Sequence, residues 1–368
     1  MMSIRKAVIS KVLEERNDLQ EVEVTFPDGN KGKATVYLKI TGEVSIGDQV
    51  LLNTTAVELK LGTGGVHFVQ SIIGKEVRSI SGVGHIMKLR YTPWQLRCLA
   101  VEEEASPYHQ DLQSFQSLGG VPVVAATLHS MLPLVAVGFL ERLGRPAHIT
   151  YIMTDGAALP IAFSRTVAEL KKKGILNQTI TAGHSFGGDL EAITVPSALV
   201  AASVIGKADF IIVAMGPGIV GSNTKYGFTG LEQAHILEDI QRLGGTPIAV
   251  PRVSSADPRE RHRGLSHHSR TVLGEMTFAK AWVPLPENKA WTESLQHEFQ
   301  VSGIAEKHRI RKVSMPDVNQ VLDKFGLRVT SMGRDSRQDP AFFASSMAAG
   351  VLAAEMLLDH RGFSGEEE

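Results

Sequence analysis

The chain holds one cysteine, Cys98, in 368 residues. No disulfide can form within it, and such sparing use of cysteine suits a reducing compartment. Net charge is equally scarce: 38 Lys and Arg against 39 Asp and Glu leave a formal −1, which supplies no overall field to draw polyanions or anionic membranes. Met1 to Glu15 has charges but no apolar h-region, so no secretory signal is visible and a cytoplasmic location is expected. There is no H-E-x-x-H motif and no paired-cysteine spacing, so no metal site is predicted.

Charge is missing altogether from Gly119 to Leu140, a run about as long as a membrane span. Pro122 and Pro133 lie within it, and Thr127, His129 and Ser130 sit at its centre, where lipid would penalise them. A buried strand followed by a buried helix accounts for the run, and no membrane partner is expected.

What is present is the composition of a globular protein, 43% hydrophobic and 21% charged, and the length suggests two domains. Residues 1–80 carry short β-rich segments: Val22 to Phe26 alternates, Pro27-Asp28-Gly29-Asn30 is a strong turn, and Thr35 to Ile40 and Gln49 to Leu52 follow. These predict a small N-terminal antiparallel β-barrel domain. Aromatic residues make up 6% of the chain and form no ladder on one barrel face, which favours a structural role over nucleic-acid binding.

Residues 81–368 are predicted to form an α/β domain. Strands are expected at Leu96 to Val101, Val121 to Ala126, Ile149 to Met153, Thr179 to Ala182, Phe210 to Met215 and Thr246 to Val250. Helical patterns separate them at Leu132 to Leu143, Phe163 to Lys173, Ser197 to Ile205 and Leu231 to Leu243. This alternation implies right-handed crossovers and a mainly parallel sheet flanked by helices. Further units include Pro316 to Phe325 and a final helix, Ala341 to Leu358, capped at Asp339-Pro340. Its small residues suit close packing against the sheet or against a second subunit, which leaves room for a homo-oligomer.

Several strands end in polar, Gly-rich residues: Thr127-Leu128-His129, Thr154-Asp155-Gly156, Gly183-His184-Ser185, Gly216-Pro217-Gly218 and Arg252-Val253-Ser254. Ligands of open α/β sheets sit beyond the carboxyl ends of the strands, so this edge is the predicted site. Gly183 to Gly187 is a G-x-S-x-G, which would make Ser185 a nucleophile on a tight elbow. Gly188 follows it, and Pro196 defers the next helix to about Ser197, so the elbow context is poor. Gly216, Gly218 and Gly221 form G-x-G-x-x-G after the strongest strand, but a polar loop follows in place of a helix. A phosphate-accepting loop fits better there than a nicotinamide site. The Walker A pattern fails, because Ser222 stands where lysine is required.

The segment from Arg252 to Arg270 is the richest in chemistry, with Asp257, Arg259, Arg261, His262, Arg263, His267 and His268. Guanidinium forks recognise carboxylate and phosphate, and histidine shuttles protons or binds metal. His267 and His268 are neighbours and are expected to point apart, so at most one is an easy metal ligand. Asp155 and Asp189, with His184 and Ser185, are the candidate catalytic groups at the crevice. Arg252, Arg259, Arg263, His267 and His268 join the three glycines as candidate ligand-binding residues.

Gly183 to Ala192, Met215 to Gly221, Ala256 to His268 and Ser331 to Arg334 resemble a bacterial family catalogued as domain of unknown function 3866. Val50 to Phe68 resembles that family's N-terminal segment. The resemblance implies a bacterial, intracellular protein and transfers no catalytic roles. The expectation is a binding protein or enzyme for a small anionic, phosphate-bearing molecule, with the cofactor unknown. The alternatives are a serine hydrolase using Ser185, or a non-enzymatic module in which barrel and basic loop bind a protein or, less favoured, nucleic acid.

Overall fold

A computed structural model describes residues 2–16, 18–62, 64–76 and 82–363, with side chains as far as Asp359. The boundary expected between residues 80 and 81 lies outside the described residues. The chain divides into two compact units, Met1–Leu99 with Pro160–Ala168, and Ala100–Leu159 with Glu169–Glu368.

In the first unit β1 (Ile4–Arg16), β2 (Leu19–Thr25), β3 (Lys31–Tyr37), β4 (Gln49–Asn53) and β5 (Val66–Ile72) close a barrel in the order β1-β2-β3-β5-β4. The pairings are antiparallel apart from β3 with β5. Alternation puts Val22, Val24, Val36, Val50 and Leu52 inside at 0% exposure. The predicted turn forms: Phe26 N–H donates to Asn30 O at 2.8 Å, and Gly29 takes the positive φ of 83° that the turn requires. The strand expected over Thr35 to Ile40 stops at Tyr37, and Leu38–Thr41 is a helical turn. β1 escapes a hydrophobic reading because only Ala7 and Ile9 along it are buried. Leu96 to Val101 joins the parallel series only through a bridge from Ala100 to Glu191. Its strand, β7 (Leu96–Cys98), makes an antiparallel hairpin with β6 (Ile86–Lys88).

The second unit is built on an eight-stranded sheet. Its members are β8 (Pro122–Ala126), β9 (Ile149–Thr154), β10 (Gln178–Ala182), β11 (Leu190–Ala192), β12 (Phe210–Met215), β13 (Thr246–Ala249), β16 (Trp282–Pro286) and β17 (Arg309–Val313). A short antiparallel pair, β14 (Val253–Ser254) with β15 (Gly264–Leu265), lies outside it. The sheet order is β11-β10-β9-β12-β8-β13-β16-β17, and every pairing is parallel. β8, β9 and β12 are buried along their whole length, as strands covered on both faces must be. β16 was not anticipated because Pro284 and Pro286 argue against a central strand. Its ladder with β13 is one residue pair, Ile248 with Trp282, so little pairing is lost on that side.

The uncharged run forms β8 and then the buried helix Leu132–Leu143. Gly144, at φ 69°, ends that helix by donating its N–H to Leu140 O at 3.0 Å. The helix Val195–Val204 starts earlier than predicted: Thr194 and Ser197 form a capping box, and Pro196 occupies the first turn, where its missing N–H is harmless. Pro340–Asp359 is the one helix long and apolar enough to span a membrane among the described residues, and 89% of its most apolar stretch is buried inside the structure. It packs along Leu132–Leu143 at backbone range. A Cβ on Gly138 would lie 2.5 Å from Met347 O, and one on Gly350 would overlap Val135 O.

Two opposite effects can therefore be told apart at Gly138. Helix propensity alone makes Gly138→Ala stabilising by about 1 kcal/mol, whereas overpacking costs roughly 1–3 kcal/mol. We expect a net loss for Gly138→Ala and for Gly350→Ala in denaturant midpoints. Gly62→Ala, whose Cβ would meet nothing within 4 Å, serves as the neutral control. A Gly138→Ala midpoint at or above wild type removes the close-packing account.

Candidate functional site

Because the sheet is all parallel, the segments that follow its strands share one edge. Thr127–Ser130 follow β8, Asp155 follows β9, Gly183–Ser185 follow β10, Gly216–Gly221 follow β12 and Arg252 comes shortly after β13. β8 continues to β9 on one side, while β12 lies between those two strands and its chain crosses to β13 on the other. This reversal is a topological switch point, where such sheets open a crevice. Breadth limits what can meet there: β10 and β13 are four strands apart, about 19 Å at the usual strand spacing. The candidate residues consequently fall into two groups.

The first group sits at the ends of β9, β10 and β12. Asp155 Oδ2 accepts the His184 backbone N–H at 2.9 Å. Gly183 has φ +67°, and a Cβ there would overlap the Asp155 carboxylate. Thr154 donates its hydroxyl to Glu232, with Oγ1 at 2.8 and 2.9 Å from the two carboxylate oxygens. Burial pushes the Glu232 carboxyl up to about 7, against the Thr154 bond and helped by the charge of Asp155. Glu232 is the first residue of the helix Glu232–Arg242, and nothing in the local pattern singled it out.

Two predicted catalytic residues do not belong to this edge chemistry. Ser185 is 0% exposed, with its hydroxyl held by the carbonyls of Met153 at 2.8 Å and Ala182 at 2.7 Å. It ties strand ends together and does not project as an elbow nucleophile must. Asp189 precedes β11, whose register sets Leu190 beside Ile180, so the carboxylate lies at the opening of β10. There it accepts Thr179 N–H at 2.8 Å and pairs with Lys171. Asp189 clamps the opposite end of the strand from the crevice.

The second group gathers around the ends of β12 and β13. Asp257, 1% exposed, accepts Arg259 Nε at 3.0 Å and Nη2 at 2.9 Å, while Nη2 of both Arg252 and Arg334 approaches to 3.5 Å. Burial opposes ionisation of Asp257, but the Arg259 bonds outweigh it and hold the carboxyl well below the usual range. Asp339 accepts Ser254 Oγ at 2.6 Å, Ser255 N–H at 2.8 Å and Arg334 Nε at 3.2 Å. Its carboxylate thus fastens β14, and the helix begins at Pro340, one residue before the expected Ala341. Arg252 is buried, and burial followed by the charge of Arg259 lowers it to about 10. Arg263 is exposed to solvent and takes no part in this ion cluster.

The β14–β15 pair turns the chain back so that Ser266 N–H donates to Arg252 O at 2.9 Å. Ser266 then caps the following turn, its Oγ accepting His268 N–H at 3.2 Å and lying 2.7 Å from His262 Nδ1. Contrary to expectation, His267 and His268 do not point apart: their ring centroids are 4.3 Å apart, and those of His262 and His268 are 4.9 Å apart. Phe228 stacks on His268 at 3.8 Å and 4°. Both rings swing back toward His262 across the turn, which spacing along an ideal helix does not anticipate. Burial, then the charges of neighbours including Arg252, lowers His262 and His268 to about 3, and His267 is lowered by burial and Arg261.

The glycine loop touches both groups. Gly216 is required because a Cβ would lie 2.5 Å from Ala158 O, Gly218 has φ +103° with open space around it, and a Cβ on Gly221 would lie 3.8 Å from His268 Nε2. Gly221 bridges to Phe228, so a hairpin follows where a dinucleotide site needs a helix. Arg334 and Asp339 were visible only as part of a resemblance motif and as a helix cap, and His262 only as one of many residues in a basic stretch.

Glu232 allows a pH test. Its folded value lies above its unfolded one, so its stabilising contribution is complete below about pH 4.5 and is lost as pH rises through about 7. Glu232→Gln keeps the hydrogen bond and cannot ionise. We expect wild type to lose roughly 2 kcal/mol relative to the variant across that window, as measured by urea unfolding at each pH. Parallel stability curves would show that Glu232 is not perturbed.

No curated protein and no solved structure matches the chain. The family described as "Protein of unknown function (DUF3866)" matches residues 33–350, from β3 of the barrel into the final helix. That span contains every residue of both groups, and the chain belongs to the DUF3866 family.

Proposed function

We propose that the arginine group at the end of β13 binds a small anionic molecule, with phosphate-bearing metabolites as the ligand class. The observation that carries this reading is a charge imbalance. Arg252, Arg259 and Arg334 share Asp257 and Asp339, three cations against two anions; Arg259 holds Asp257 at 2.9 Å and Arg334 holds Asp339 at 3.2 Å, which leaves buried Arg252 no carboxylate nearer than Asp257 at 3.5 Å. A buried cation so loosely paired is costly, and an incoming phosphate supplies the missing charge with oxygens that match guanidinium forks. The Gly216–Gly221 loop has open space around Gly218, and its Gly221 lies beside His268 of the same group, so a ligand can approach its backbone there.

Binding, not turnover, is what this geometry supports. Asp155 is three strands from Arg252, about 14 Å, so it reaches only the far end of an extended ligand. Hydrolysis through Ser185 loses its basis with that hydroxyl buried between carbonyls. The scarcity of cysteine supports a cytoplasmic setting.

The test is thermal shift and calorimetry on the full chain, in chelator, with inorganic phosphate, pyrophosphate, nucleotides and sugar phosphates. At least one should stabilise the protein in a concentration-dependent way. Arg252→Gln should weaken binding about 10- to 100-fold, the worth of a charge-assisted hydrogen bond. Arg334→Lys, which keeps charge but loses the fork, should also weaken it, and Arg263→Gln should not. No response across the panel, or equal losses in Arg263→Gln and Arg252→Gln, overturns the reading.

A further inference from the structure

We propose that His262, His267 and His268 form a binding site for a divalent transition metal of the zinc class. Each ring offers one nitrogen, and the three nitrogens lie within 4.8 Å of one another. Tetrahedral zinc holds imidazole nitrogens at about 2.0–2.1 Å from the metal, hence about 3.3 Å from each other. Small side-chain rotations close that difference.

The independent evidence is a pair of orphaned atoms. His267 Nε2 and His268 Nδ1 are buried and have no hydrogen-bond partner, and His268 is only 9% exposed. A buried polar atom left unpaired costs about 1–3 kcal/mol, and two in one cluster call for a shared partner. His308 shows the alternative for a core histidine, with Nε2 2.8 Å from Leu273 O.

The surroundings suit ligation. Ser266 Oγ has two lone pairs, one for His268 N–H and one for a proton on His262 Nδ1, which leaves His262 Nε2 free to coordinate. Phe228 fixes the plane of His268. Three imidazoles favour zinc and its neighbours over calcium or magnesium, and they leave a coordination position open. Arg252 and Arg259 oppose a dication nearby, and Asp257 and Asp339 offset them. The inference stands on the histidine geometry and does not require the anion reading.

The experiment uses full-length protein stripped with chelator, dialysed into phosphate-free buffer and titrated with zinc and cobalt(II). We expect one tight equivalent per chain and a cobalt visible spectrum of low coordination number. His262→Ala and His268→Ala should abolish the tight equivalent, and His297→Ala, on the exposed face of the helix Thr292–Val301, should keep it. Ser266→Ala, which removes the orienting hydroxyl, should weaken binding about 10- to 100-fold while preserving the cobalt spectrum at saturation. Lack of a stoichiometric equivalent in wild type overturns the proposal, whatever the variants do. So does a tight equivalent that survives in folded His268→Ala. Because the anion titration is run in chelator and this one without phosphate, either reading can fail alone.

Discussion

The crevice chemistry depends on one small piece of antiparallel pairing. Val253 and Ser254 bond with Leu265 and Gly264, and this short ladder folds the basic segment back on itself. Without it, Arg252 would lead away from the sheet and His267 and His268 would lie far from His262. With it, Ser266 reaches Arg252 O, Ser269 Oγ accepts Arg252 N–H at 2.7 Å, and imidazoles and guanidiniums become neighbours. Asp339 reinforces the ladder from the far end of the chain by binding both Ser254 and Ser255. The final helix is thus part of the site, as well as the wall of the core.

The same fold makes charge management the central problem of this edge. Desolvation disfavours every ion there, and the protein answers in two ways. Where cations and carboxylates are mixed, as around Asp257, hydrogen bonds keep both signs ionised. Around the histidines, burial first and then the charges of neighbours including Arg252 drive the protons off, so His262 and His268 are neutral well below neutral pH. Neutral rings next to guanidiniums avoid repulsion, and they present lone pairs instead of charges. An arginine-rich cluster and a nitrogen-donor cluster can consequently be neighbours, because neutral imidazoles do not repel the guanidiniums beside them.

How much of this could be read from the residues depended on the range of the interactions involved. The parallel sheet was legible from fully apolar strands such as Phe210–Met215, and the barrel from the alternation in β2 and the Pro27–Asn30 turn, because both signals are local. The edge itself was legible for the same reason, since Gly and polar residues cluster directly after each strand. Roles were less so. Asp189 looks like a crevice residue until the register of β11 sets it beside Thr179, and Ser185 looks exposed until Met153 O arrives from the next strand. Glu232, Arg334 and Asp339 are drawn in by contacts spanning 77 or more positions along the chain, such as Thr154 with Glu232, Asp257 with Arg334 and Ser254 with Asp339. No pattern within a helix or loop encodes such contacts.

Between the two groups stands a lock at the carboxyl end of β12. Met215 O accepts the Tyr151 hydroxyl at 3.2 Å and lies 3.2 Å from His129 Nδ1, which ties the middle of β9 and the segment after β8 to the end of that strand. Burial lowers His129 to about 4, so the lock carries no charge at neutral pH. A charged histidine there would pull the acids of the first group and the arginines of the second into a single field. With Glu232 protonated over much of the range below pH 7, that carboxyl adds little negative charge to this edge. The three guanidiniums around Asp257 and Asp339 therefore keep their excess of one positive charge at their own end of the edge, the observation on which the anion-binding proposal rests.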